Sequence, residues 1–176
     1  SRVVQVACGV TASLAFVRAA VRAGADTLLV HHGWFWRGED PRMLGPRRER
    51  MALVLAHRLN LFAYHLPLDV HPLVGNNAQL GARLGWSTAG RFGDEGLGCW
   101  HDFSRPQPVA LVTANLATVL GQPPLVLGPV RRGIRRIAWC TGAAQDMLAQ
   151  AAENGADAFV SGEVSERTTH LARELG

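Results

Sequence analysis

Lysine is absent from this 176-residue chain: all 18 basic residues are arginine, set against 14 acidic ones. A nucleic-acid surface usually gathers lysine and arginine together on one face. Here arginine is spread out, with small knots at Arg47, Arg48, Arg50 and at Arg131, Arg132, Arg135, Arg136. The missing lysine reads as compositional bias, and no nucleic-acid partner is predicted. Cysteine is scarce as well. Cys8, Cys99 and Cys140 are an odd set without CxxC spacing, which excludes a disulfide framework. Cys8 and Cys140 lie in apolar runs, so these thiols are expected to be buried and reduced, in the cytoplasm. No stretch nears the roughly 18 apolar residues of a membrane helix, so no membrane partner is predicted. No basic start, apolar run and small-residue cleavage site opens the chain, so no secretory signal is read. Walker A, GxGxxG, GxSxG and HExxH motifs are also missing.

What is present is enough to fold. Hydrophobic residues make up 48% and charged residues 18%, which excludes intrinsic disorder. Val3 to Cys8 reads as a strand, Thr11 or Ser13 as a cap, and Leu14 to Ala23 as a helix stopped by Gly24. Thr27 to Val30 is a second strand. Strand, helix and strand within about thirty residues make a βαβ unit. His31 and His32 follow it directly, at the end of parallel strands where ligands bind in open α/β sheets. Gly33 to Gly45 reads as a loop or lid, and Pro46 to Leu59 as a helix. Leu61 to Tyr64 is a third strand, ending at His65. Pro67 makes His65 to Asp69 a loop. Gly75-Asn76-Asn77 caps a short helix running to about Leu84. The Gly-rich stretch from Gly85 to Gly98 suggests a boundary, dividing the chain into lobes 1–95 and 96–176.

The last third echoes the first. Arg136 to Cys140 resembles the opening strand, and Ala143 to Glu153 the opening helix. Gly155-Ala156-Asp157 repeats Gly24-Ala25-Asp26, with a strand after each. Aligned on Asp26 and Asp157, the offset is 131 residues, and His32 falls opposite Glu163. An internal duplication follows. The predicted fold class is α/β, two lobes of βαβ-like units with mainly parallel strands.

His31, His32, His65 and Asp69 carry the strongest chemical signal. Adjacent histidines on an extended chain point in opposite directions, so they are poorly placed to chelate one ion together and serve two, one each, if the chain turns at the strand end. Asp69 has two oxygens and can bridge a pair. Imidazole with carboxylate suits Zn, Fe, Mn, Co or Ni. Two such ions about 3.5–4 Å apart activate water and stabilise an oxyanion. The other histidines say less. His57 is expected in solvent, His71 sits beside Asp69, and Cys99 with His101 is too little for zinc. Glu163 and His170 either line a cleft opposite His32 or belong to a capped helix with Glu166 in its first turn. Trp34-Phe35-Trp36 reads as a lid, a docking surface or the filling of a subunit interface.

These segments together resemble one family. Ala25 to Gly33 is similar to the GAD-hydrophobic-HH signature of the GTP cyclohydrolase 1 type 2 homologues, the Nif-three-like dinuclear metal-centre proteins. Tyr64 to Asp69 resembles their H-x-x-L-D motif and Gly75-Asn76-Asn77 their G-x-N. Ala156 to Glu163 resembles their AD-hydrophobic-TGD/SGE motif, with His170 as the following histidine. The resemblance implies two interlinked α/β lobes and a ring-shaped homohexamer with metal pairs facing an internal cavity. It implies His31, His32 and Asp69 as ligands, with His65 as a further ligand or near neighbour. It implies two divalent transition-metal ions per subunit. Such proteins also carry an opening helical segment and a late G-H-x-x-x-E motif, so the chain is expected to be a fragment at both ends. Two functional readings fit. One is a metal-dependent hydrolase acting on C–N bonds of a small molecule. The other is a non-enzymatic metal-binding or regulatory protein. Beside these two stands an ordinary α/β domain without metal.

Overall fold

A computed structural model describes residues 2–129 and 133–176, so Arg131 and Arg132 lie outside the described residues. The chain divides into two compact units, Ser1–Leu68 and Asp69–Gly176. The fold is α/β.

The first unit begins with β1 (Val6–Thr11), α1 (Leu14–Arg22) and β2 (Thr27–His32). Helix α2 (Gly45–Ala56) and β3 (Asn60–Ala63) follow. The sheet order is β1-β2-β3 and both pairings are parallel. Ser13 caps α1 by accepting from the Phe16 amide, and Pro46 sits in the first turn of α2, where its missing N–H has no partner to lose. Val17 and Ala20 of α1 pack with Leu28, Val30, Trp34, Val54 and Leu59 into one core. Only one face of the sheet enters that core. Val6, Val10, Leu29 and Phe62 remain exposed on the other, and Cys8 with them. The expected burial of Cys8 is therefore corrected. Its apolar surroundings follow from the strand alternation, while the helices cover the opposite face. Cys99 and Cys140 are buried, and burial pushes both thiols up from their ordinary value.

Residues Leu66–Asp69 form one helical turn, α3, rather than a loop. Pro67 is compatible with it because the first helical turn needs no N–H partner.

The second unit holds α4 (Asn76–Leu84), β4 (Gly90–Phe92), β5 (Gly98–Pro108) and α5 (Val109–Leu120). It continues with β6 (Gly133–Cys140), α6 (Leu148–Glu153), β7 (Ala158–Ser161) and α7 (Glu166–Leu175). The sheet order is β4-β5-β6-β7, with β6 and β7 parallel and the other two pairings antiparallel. Leu84, Trp86, Cys99, Val112, Leu116, Ile134, Ile137 and Trp139 form its main core. The Gly-rich stretch Gly85 to Gly98 contains β4 and a 3-10 turn at Asp94–Gly96. The second basic knot is partly structural. Arg136 makes two hydrogen bonds to Asp102, donates to Asn154 O and lies over the Trp100 ring.

The two βαβ halves match bond for bond at the 131-residue offset. Val6 pairs with Thr27 and Gly9 with Val30; Ile137 pairs with Ala158 and Cys140 with Ser161. Asp26 Oδ2 accepts from the amides of Val4 (2.7 Å) and Gln5 (3.0 Å), and Asp157 Oδ2 from those of Arg135 (2.8 Å) and Arg136 (2.9 Å). Gly24 and Gly155 close the two helices with φ of 74° and 77°. The halves part at the strand ends. His31 corresponds to Gly162, where a Cβ would come within 2.9 Å of the Gly142 backbone. No side chain fits there, so the second half cannot carry the histidine pair.

The carboxylate clamp gives a pH dependence. The Gln5 amide, the Thr27 hydroxyl and the Val4 amide, in that order of effect, hold the Asp26 carboxyl below its ordinary value of 3.8. Arg136 does the same for Asp102. The folded chain then binds these protons less readily than the unfolded one, so their stabilisation is complete above that value and is lost as pH falls through the folded pKa. Melting followed by circular dichroism from pH 7 to about 2.5 is expected to show a steep acid decline. Asp26→Asn is expected to shallow it. Parallel curves for the two proteins would rule the clamp out as a stabiliser.

Candidate metal centre

Two parallel strands deliver the three histidines. His31 and His32 are the last two residues of β2, inside the strand rather than after it. His65 sits at the bend between β3 and α3. The expectation that His31 and His32 diverge does not hold at the strand end. Their ring centroids are 4.6 Å apart, and those of His65 are 4.9 Å from His31 and 5.4 Å from His32. One ligating atom of each lies within 4.8 Å of the others, and all three residues are half-buried.

Hydrogen bonding selects the nitrogens. His31 Nδ1 lies 3.0 Å from the Tyr64 carbonyl, which can only accept. The proton of the neutral ring is therefore on Nδ1, and the lone pair is on Nε2. This is the pattern of a metal-binding histidine whose other nitrogen is tied to a carbonyl. His32 Nδ1 lies 3.3 Å from Thr11 Oγ1, on the neighbouring strand, opposite His32 in the register. Each ring is thus tethered from its own side, His32 by β1 and His31 by the residue just after β3.

Asp69 opens the second unit, at the end of α3, and is 9% exposed. Asn76 Nδ2 donates to its Oδ1 at 2.7 Å, which orients the carboxylate. Sequence reading missed Asn76. Its signal was the seven-residue spacing to Asp69 across the cap of α4. Of the Trp34-Phe35-Trp36 segment, read as a lid, a docking surface or interface filling, Trp36 has its ring 4.9 Å from His65 and 5.9 Å from His32.

Of the remaining candidates, His71, His101 and His170 have structural partners, and His57 and Glu163 are exposed. His71 Nδ1 accepts from the amides of Leu73 and Val74, closing a turn. His57 is exposed at the end of α2. His170 pairs with Glu166 one turn earlier on α7, whose start carries a Ser165–Thr168 capping box, so the capped-helix reading accounts for this segment. Glu163 is exposed just after β7. His101 Nδ1 lies 3.2 Å from Ser87 Oγ, which suggests a nucleophile and base. The same nitrogen is 3.0 Å from the Ser87 carbonyl. That carbonyl holds the Nδ1 proton, so the ring cannot take one from the hydroxyl there.

Comparison with known proteins agrees with the motifs. The family profile of Duf34/NIF3 (NGG1p interacting factor 3) matches residues 1–176. A protein of Escherichia coli named GTP cyclohydrolase 1 type 2 homolog is 46% identical over 173 residues, covering 98% of this chain and 69% of the relative. One of that name from Neisseria meningitidis is 45% identical over 172 residues, with the same coverages. Among solved structures, protein ybgI, described as of unknown function, superposes with a TM-score of 0.89 at 45% identity, over 100% of this chain and 71% of that one. With the whole chain matched by the profile and its fold shared with ybgI, this protein belongs to the Duf34/NIF3 family.

Proposed function

We propose that the chain builds a dinuclear metal centre on His31, His32, His65 and Asp69, and that the centre serves hydrolysis of a small molecule at a C–N bond. The observation that carries the reading is the convergence of three imidazoles with ligating nitrogens within 4.8 Å. The converging donors fit the ions: imidazole nitrogens select Zn, Fe, Mn, Co or Ni over Ca or Mg, and Asp69 would add a carboxylate to them. When bound, such ions supply Lewis acidity and make water a nucleophile near neutral pH. The protein's own part is preparation. The Tyr64 carbonyl fixes the His31 tautomer, Thr11 anchors His32, and Asn76 orients Asp69. The C–N specificity rests on the names of the relatives. The cytoplasm and a ring-shaped homohexamer are proposed on the motif resemblance, with the unpaired cysteines supporting a reducing compartment.

Elemental analysis of protein purified without chelator is the test, with light scattering for the subunit number. Bound transition metal is expected, with affinity falling about 10–100-fold or more in His31→Ala and in Asp69→Ala. Metal content unchanged in the triple variant lacking His31, His32 and His65 overturns the site. If the centre holds and His32→Ala abolishes ion binding without any substrate panel ever showing turnover in wild type, the hydrolase reading fails and the binding-protein reading replaces it.

A further inference from the structure

We propose that Trp36 is a positioning residue of this centre, its indole standing edge-on to the His65 imidazole and fixing the ring orientation from which His65 ligates. The inference rests on the metal-centre reading. The three consecutive aromatics, Trp34, Phe35 and Trp36, have three different fates. Trp34 is buried, and its Nε1 donates to the Ala12 carbonyl at 2.5 Å, which pins the segment leaving β2 to the segment after β1. Phe35 is 72% exposed and touches none of the other rings in contact here. Trp36 returns to the histidines. Its ring meets His65 at 4.9 Å and 85°, and His32 at 5.9 Å and 56°.

The path that brings it there is constrained at its start. A Cβ at Gly33 would lie 2.8 Å from the Ala63 Cβ, so the chain passes hard against the end of β3, two residues before His65. An edge-to-face pair of this geometry is favoured by the ring quadrupoles, which attract the edge of one ring to the face of the other. The bulky indole is two residues from a buried anchor and three from a tight crossing, and it stands against the imidazole edge-on. It therefore limits the rotation of the imidazole. Partners that orient a ligating histidine from outside the ligand set are worth about 10–100-fold in metal affinity. A ring contact without a hydrogen bond is expected at the lower end. Trp36 keeps 42% exposure, so the contact with the histidines is not a by-product of burial in the core.

The test titrates the full chain with Co(II) alone, following visible absorption and tryptophan emission. Trp36→Phe keeps a ring in place and is expected to bind within about threefold of wild type, while Trp36→Ala loses about tenfold and shifts the Co(II) absorption bands. Quenching of emission on binding is expected to fall sharply in Trp36→Phe although the ion still binds. The metal-free melting temperature of both variants is expected to stay near that of wild type. Wild-type affinity and spectrum in Trp36→Ala overturn the proposal while leaving the metal centre intact. A metal-free melting temperature that falls equally in both variants also overturns it, by making the role one of folding. No Co(II) binding by wild type overturns the metal centre and this proposal with it.

Discussion

Asn77→Leu is expected to destabilise the second unit by about 3 kcal/mol, because it removes the side-chain partner of two backbone polar groups. Asn77 is 1% exposed, in the first turn of α4. Its Nδ2 donates to the Leu97 carbonyl at 2.9 Å, and its Oδ1 accepts from the Thr141 amide at 2.7 Å. The side chain therefore joins α4 to the chain ahead of β5 and to the end of β6. A leucine of similar volume keeps the packing and removes both bonds. The cost is then the desolvation of an unpaired carbonyl and an unpaired amide, about 1–3 kcal/mol each. Asn77→Asp with its carboxyl protonated keeps the acceptor and replaces the amide donors with a single O–H, so at that pH it is expected to fall between wild type and Asn77→Leu. Urea denaturation read through tryptophan emission measures both. A loss under about 0.5 kcal/mol for Asn77→Leu would show that water serves these groups equally well, within the range of ordinary surface changes.

This residue also marks how far the sequence could be read. The Gly75-Asn76-Asn77 motif was recognisable, and a cap was the natural reading of it. Yet the cap of α4 is Gly75, with no side-chain bond, and the two asparagines divide other tasks. Asn76 turns to Asp69 and Asn77 to the core. Adjacent side chains with the same chemistry cannot be told apart by spacing alone. The strands of the first unit were legible because each is a short apolar run, and the second and third lead into histidines. The closeness of His31 and His32 was not, since alternation sets the directions of their Cα–Cβ bonds and not where the rings end. At the strand end, Thr11 and the Tyr64 carbonyl decide where the rings go. The duplication was legible from three residues, because Gly24-Ala25-Asp26 encodes a helix stop and a carboxylate clamp that both halves need. Strand β5 and helix α5 have no clear signature in the sequence. Arg105-Pro106-Gln107-Pro108 argues against a strand in any reading by propensity. The strand survives because the register with β6 is irregular between Asp102 and Gln107. Helix α5 is apolar nearly throughout, so it has no face for periodicity to find.

Trp139→Ala is expected to have the largest effect on stability, about 3–5 kcal/mol, as the removal of a fully buried indole. Its partner across the packing is Gly81, within α4. A glycine inside a helix costs about 1 kcal/mol against alanine, so its presence there calls for a steric reason. The Trp139 ring supplies one. A Cβ on Gly81 would lie 2.8 Å from Trp139 Cζ2 and 3.0 Å from the Trp86 carbonyl oxygen. Neither can yield easily. The indole rests against Trp86 at 5.4 Å and donates through Nε1 to the Asn77 carbonyl, and the Trp86 oxygen is backbone. Overpacking of about 1–3 kcal/mol then outweighs the gain in helix propensity, and Gly81→Ala is expected to destabilise. Trp139→Phe removes the ring atom that Gly81→Ala would strike, at the expense of the bond to Asn77. In the double variant the alanine should therefore be tolerated better, with the two changes coupled by about 1 kcal/mol in the favourable direction. The urea midpoints of the four proteins decide it. Strict additivity would mean that the Trp86 carbonyl, not the indole, keeps position 81 a glycine.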